Sequence, residues 1–206
     1  EKHSRAQELF SQADEILGFG LSKVMFEGTE DDLKKTQITQ PAVFLNSYAH
    51  YAVNRENVET SAVAGHSLGE LTALTVNGVL TFEDGLNLVY QRAMAMQDAC
   101  NNTDGTMAAI LGLEDDVVET LCESSEGIIV AANYNCPGQL VVSGEISAIE
   151  NIVEAAKEKG ARRALVLNVD GAFHSPLMIS AQDKLQQAIE ATTFANPTAP
   201  IYQNVS

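Results

Sequence analysis

Ser61-Ala62-Val63-Ala64-Gly65-His66-Ser67-Leu68-Gly69-Glu70-Leu71-Thr72-Ala73-Leu74-Thr75-Val76 reads as a strand, a sharp turn and a helix. The first four residues are small and mostly apolar, and residues 70–76 resume with apolar spacing that a helix can use. Between them, Gly65-His66-Ser67-Leu68-Gly69 has the G-x-S-x-G form of a nucleophile elbow, which holds a serine at a strand-to-helix turn. Glycine on both sides lets the backbone turn and lets strand and helix approach closely. The serine hydroxyl is then presented at the helix N-terminus, where the Leu68 N–H, helped by the helix dipole, can meet a developing oxyanion. A tight turn carrying a solvated serine shares this pattern, so a catalytic reading needs partners from elsewhere in the chain.

Outward from the elbow, apolar residues at helical spacing over 6–17 predict a surface helix stopped by Gly18. After an acidic stretch, Gln40-Pro41 predicts the start of a second helix reaching Val53, since proline suits a first helical turn. Thr81 with Glu83 and Asp84 marks the capped start of a long helix running toward Cys100. From Gly105 the pattern changes. Strands over 107–113, 127–134, 139–143 and 163–169 and helices over 114–124 and 146–159 give the order βαββαβ of a ferredoxin-like split unit. Asn135-Cys136-Pro137-Gly138 joins the middle strands with turn-forming residues. The expected organisation is an α/β core over residues 1–104 and 170–206, interrupted by a smaller subdomain over 105–169.

Composition narrows the function. The 206 residues, 45% hydrophobic, suit one domain with a module inserted. Twelve Lys+Arg against 28 Asp+Glu leave a formal charge of -16, which repels phosphate backbones and anionic lipid and argues against nucleic-acid or membrane-surface binding. The longest apolar runs, at 108–111 and 128–132, are far short of the roughly 20 residues that span a bilayer. The chain opens on an amphipathic segment with no signal-peptide pattern and no initiating methionine, and it reads as a fragment. Three cysteines without zinc-like spacing predict no disulfide framework and no structural metal, as in a reducing cytoplasm.

A serine nucleophile needs a base, normally histidine. Of the 4 histidines, His3 lies at the start and His50 on the helix after Pro41, where a packed or half-exposed side chain needs no special role. His66 adjoins Ser67, but neighbours at such a turn point to different sides, so a structural or substrate-facing role suits it better. His174 remains, in the loop Gly171-Ala172-Phe173-His174-Ser175-Pro176 ahead of a helix; loops at the mouth of an α/β sheet commonly carry catalysis. Arg92 lies in a helix with apolar residues on several faces, and a charge there needs a partner. That partner is either an internal carboxylate or the carboxylate of a substrate, which arginine receives in a planar, bidentate fork. Asn133, Asn135 and Gln139 are either substrate contacts or turn formers. Lys157, Lys159, Arg162 and Arg163 either complement a helix C-terminus or meet an acidic partner.

Thr39-Gln40-Pro41-Ala42, Gly65-His66-Ser67-Leu68-Gly69-Glu70, Gln91-Arg92 with Met96-Gln97, Asn133 and Asn135 with Pro137-Gly138-Gln139, and the His174 loop occur in an order and spacing that resemble the malonyl-CoA:acyl carrier protein transacylases of fatty-acid synthesis. The acyltransferase domains of polyketide synthases are similar too. The resemblance implies an α/β-hydrolase-like core with a ferredoxin-like insert. It implies Ser67 as the acylated nucleophile, His174 as base, Arg92 as receptor of the malonyl carboxylate, Gln40 lining the pocket and the Leu68 N–H as one oxyanion donor. His66 and Phe173 would face the substrate. A bulky Phe173 before His174 resembles malonyl-selecting polyketide acyltransferases, leaving little room for an α-methyl group. The implied partners are malonyl-CoA and the phosphopantetheine arm of acyl carrier protein, with no metal or cofactor and a monomeric, cytoplasmic enzyme.

Two parts of that family's pattern are missing: a leading glycine/glutamine-rich strand and loop with a second oxyanion donor, and a later segment whose carbonyl orients the histidine. Residues 1–206 made alone are therefore expected to expose a sheet edge and to be poorly soluble or inactive. Two rivals keep the same motif. A serine esterase or thioesterase would need an acid such as Asp116, Glu119 or Asp170 between Ser67 and His174, though none has a matching context. A carrier-docking module would carry an inert serine.

Overall fold

The structure is a computed structural model that describes residues 4–205, so His3 lies outside the described residues. The chain divides into two compact units, Glu1–Met94 with Lys184–Ser206, and Ala95–Asp183. Both boundaries fall inside helices. No helix among the described residues is long and apolar enough to cross a membrane.

In the first unit, α1 (Ser4–Leu17) ends where expected, with Gly18 at φ 73 and its N–H returned to the Asp14 carbonyl at 3.0 Å. The acidic stretch that follows contains two short helices the sequence did not reveal, α2 (Leu21–Glu27) and α3 (Glu30–Lys34). The second starts with a capping box in which Thr29 and Asp32 satisfy each other's amides, a signal present in the sequence as Thr29-Glu30-Asp31-Asp32. The next helix, α4 (Thr36–Asn54), starts before Gln40-Pro41, which lie inside it and are buried. Its first turn is carried by burial of Thr36 and by Ile38 packed against the core, and tertiary packing overrides the proline signal there.

Beyond a single 3₁₀ turn come β1 (Val63–Ala64), α5 (Gly69–Val76) and α6 (Phe82–Asn101), the last opened by Thr81 Oγ1 accepting the Asp84 N–H at 3.0 Å. The strand is shorter than the 61–64 expected. It pairs in parallel with an unforeseen strand, β6 (Ile201–Tyr202). The core of this unit gathers Leu9, Leu21, Phe44, Leu45, Leu86 and Val89 from α1, α2, α4 and α6, all nearly inaccessible.

The second unit contains β2 (Gly105–Leu111), α7 (Asp115–Ser124), β3 (Ile129–Cys136), β4 (Gln139–Glu145), α8 (Ile146–Glu158) and β5 (Arg163–Val166). They form one antiparallel sheet ordered β3-β4-β2-β5. Period-2 alternation gives the sheet two apolar faces. Ala108, Ile110, Leu140 and Val142 meet Val118 of α7 and Ile149 and Ile152 of α8, while Met107, Ala109 and Val141 form a separate cluster with Leu167, Val169 and Phe173. Burial pushes the Cys122 thiol in the first cluster up to about 11, with Glu119 and Glu123 adding to it. The β3–β4 turn is tighter than expected. Asn135 and Cys136 are strand residues, Cys136 pairs with Gln139, and Pro137-Gly138 make the turn with Gly138 at φ 73. The last strand stops at Val166 rather than 169. A 3₁₀ turn (Pro176–Met178) leads into α9 (Ile179–Glu190).

Candidate active site

The elbow is a steric object. A Cβ on Gly65 would lie 1.9 Å from the Gly69 carbonyl carbon, so only glycine fits where β1 gives way to α5. A Cβ on Gly69 would meet open space, so crowding does not require the second glycine. Ser67 takes φ 51, a left-handed conformation unusual for a residue with a side chain. The N–H groups of Gly69, Glu70 and Leu71 turn back onto the carbonyls of His66, Ser67 and Leu68 at 2.8, 3.2 and 3.0 Å. The Ser67 N–H is taken by Asn204 Oδ1 at 2.9 Å.

Arg92 reaches this turn from α6. Its Nη2 donates to Ser67 Oγ at 2.8 Å and its Nη1 to Gln40 Oε1 at 2.5 Å. Gln40 is buried in α4, so its amide holds the guanidinium from a rigid element. Burial lowers the Arg92 pKa, and the charge of Glu70 opposes that shift. Arginine nonetheless stays protonated at neutral pH. Exposed i,i+3 ion pairs such as Lys157–Glu154 occur among the described residues, and none of them involves Arg92. The first unit therefore brings together a strained serine, a glutamine amide and a guanidinium with no carboxylate paired to it. That arrangement suits an acyl group bearing a negative charge.

The remaining candidates are placed as follows. Leu68 is half-buried at the start of α5, and His66 is exposed. His174 and Phe173 belong to the second unit. There His174 is exposed at φ 61, and Phe173 packs with Met178, Ala95 and Ala99. The loop around His174 is pinned. Ser175 Oγ donates to the Ala172 carbonyl at 2.6 Å and accepts the Leu177 N–H at 3.2 Å, and a Cβ on Gly171 would come 2.2 Å from Cys100 Sγ. His50 is exposed on α4. Of the acids offered for a hydrolase triad, Asp116 accepts the Val117 N–H and Glu119 accepts the Tyr134 hydroxyl. Lys157 is paired with Glu154 at 2.7 Å, and Lys159 is the C-terminal cap residue of α8. Asn204, Glu70 and Ser175 were missed in the sequence. Glu70 directly follows the elbow motif, whereas nothing near Asn204 marks it as an elbow contact.

The chain is thus a protein of the mixed α/β class with a strained G-x-S-x-G turn. The acyl transferase domain family matches residues 2–206, and the chain belongs to that family. It is 40% identical over 210 residues to the malonyl CoA-acyl carrier protein transacylase of Bacillus subtilis (strain 168), covering 100% of this chain and 66% of that protein. It is likewise 40% identical over 203 residues to the transacylase of the same name from Escherichia coli (strain K12), covering 97% of this chain and 66% of the relative. Among solved structures, an acyl-carrier-protein S-malonyltransferase from Burkholderia pseudomallei 1710b superposes with a TM-score of 0.95 at 40% identity, over 100% of this chain and 68% of that one. A malonyl-transacylase in complex with its type II PKS acyl-carrier protein gives a TM-score of 0.95 at 36% identity, covering 99% and 67%. The chain thus spans about two thirds of the length of these relatives.

Proposed function

We propose that the protein transfers the malonyl group of malonyl-CoA to the phosphopantetheine thiol of acyl carrier protein, in fatty-acid biosynthesis, through a malonyl ester on Ser67. The observation that carries this reading is the Arg92 guanidinium held 2.8 Å from Ser67 Oγ with no carboxylate paired to it among the described residues. Relatives named for malonyl transfer support it.

In this mechanism His174 takes the Ser67 proton as Oγ attacks the thioester carbonyl, and the Leu68 N–H receives the oxyanion. The C–S bond breaks, and the proton passes from the imidazolium to the departing coenzyme A thiolate. Arg92 exchanges its contact with Ser67 for the malonyl carboxylate, with Gln40 holding the other side of the fork. The carrier thiol then gives its proton to His174, attacks the ester carbonyl and leaves Ser67 reprotonated. Phe173 and His66 face the acyl group, and Phe173 favours malonyl over methylmalonyl. Neither step calls for a metal or a bound cofactor. The proposed architecture is an α/β-hydrolase-like core over residues 1–104 and 170–206 with a ferredoxin-like subdomain over 105–169, supported by the β3-β4-β2-β5 order. We place the enzyme in the cytoplasm as a monomer.

The test is intact mass of the complete protein after exposure to malonyl-CoA. One malonyl group is expected, absent in Ser67→Ala and discharged by holo carrier protein to give malonyl-carrier. Free malonate as the main product would make the protein a hydrolase, and an unlabelled serine would make it a docking module.

A further inference from the structure

Asn204 grips the elbow through its side chain and its backbone. Its Oδ1 accepts the Ser67 N–H at 2.9 Å, and its Nδ2 donates to the Ser67 carbonyl at 3.4 Å and to Glu70 Oε2. Its own N–H donates to the same Glu70 oxygen at 3.0 Å. One carboxamide therefore spans both backbone groups of the residue held at φ 51, and Glu70 in the first turn of α5 fixes that carboxamide in turn. The tail is delivered by two further attachments, the pairing of β6 with β1 and the buried Asn77, whose side chain holds Thr198 and Ala199.

We propose that Asn204 is a positioning residue for Ser67, acting with Glu70 to hold the serine in its left-handed conformation with Oγ directed at the Arg92 fork. The proposal rests on Ser67 being the acylated nucleophile. A backbone released from this grip can relax toward an ordinary φ, swinging Oγ away from its line of attack. Because Asn204 occupies the Ser67 N–H, that amide cannot serve the oxyanion, which leaves the duty to the Leu68 N–H. The carboxamide also engages Glu70, whose charge lies within electrostatic reach of Arg92, and keeps that carboxylate from competing with the substrate for the guanidinium.

The test uses the complete protein and two readouts. Asn204→Ala should lower kcat for malonyl transfer by at least about tenfold while KM for malonyl-CoA stays within about twofold, because geometry at the reacting atom is lost and the substrate contacts remain. Hydrogen exchange at the Ser67 amide, measured without any acyl donor, should accelerate by at least about tenfold. Asn204→Asp alone sets two carboxylates against each other and should lose as much activity. Glu70→Gln keeps an amide oxygen able to accept both the Asn204 N–H and Nδ2–H, and kcat should stay within about threefold of the wild type. A tail contact that served only stability would shift the unfolding midpoint without the kcat–KM split and without faster exchange at the Ser67 amide. Wild-type kcat in Asn204→Ala or unchanged exchange at the Ser67 amide would each overturn the proposal. The amide measurement needs no substrate, so a clamp that fails and a malonyl-transfer reading that fails give different results.

Discussion

Ser67 sits at φ 51 in a turn closed by the approach of Gly65 to Gly69 and gripped by Asn204. The Gly65 backbone lies against the Gly69 carbonyl, and a methyl group there, 1.9 Å from carbon, has nowhere to go. Gly65→Ala is therefore expected to destabilise the protein by about 3 kcal/mol or more, read as a lowered urea midpoint. Gly69→Ala, with open space around its Cβ, should cost less than about 1 kcal/mol. The proposed role of Arg92 is on the substrate rather than on the fold. Charge-assisted hydrogen bonds contribute about 1.5 to 3 kcal/mol, so Arg92→Ala should slow malonyl transfer about ten- to a hundredfold and leave acetyl transfer nearly unchanged. An equal loss on both thioesters would reject the carboxylate role. The elbow serine and the arginine were legible because each stands out chemically against its neighbours. Asn204 was not, since its contacts lie 137 residues away and no local pattern announces such a distance.

At the level of elements, periodicity served well wherever one face is buried and poorly where packing competes with local signals. The split βαββαβ unit could be read because short, continuous apolar runs bounded by turn residues mark strands covered on both faces. The start of α4 could not, because Pro41 is tolerated inside a helix whose first turn is held by burial. The two-residue strands β1 and β6 carry no periodicity at all. One contact between elements offers a measurement. Tyr134 on β3 donates its hydroxyl to Glu119 on α7 at 2.5 Å, and that bond, with some desolvation and the carboxylate charge, pushes the phenol up to about 12. A pKa raised above its unfolded value of about 10 means that the contact supports the folded state below pH 10 and ceases to do so as pH climbs through about 12. In an ultraviolet titration one of the 5 tyrosines should ionise late, and Glu119→Gln should bring it back toward the others.

At the scale of the whole molecule, the division into two units was not signalled by any linker composition. The observed boundaries lie at Met94/Ala95 and Asp183/Lys184, inside α6 and α9. Within the first unit, the chain returns along α5 and is tied down at both of that helix's ends. Asn77, 1% exposed, bonds Thr198 and Ala199 at the C-terminal end, and Asn204 meets Glu70 and Ser67 at the other. Asn77→Ala would remove the part-buried hydrogen bonds to Thr198 and Ala199 and should cost about 1 to 3 kcal/mol, seen as a lower melting temperature. It should also quicken amide exchange over residues 195–204 and reduce transfer activity in step; full activity with an untethered tail would contradict the link.

That late return has a temporal meaning. Ser67 is translated 137 residues before Asn204, so the proposed restraint is absent while all the intervening chain is made. Ribosome-stalled chains ending before Ile201, which lack this restraint, should resist acylation by malonyl-CoA.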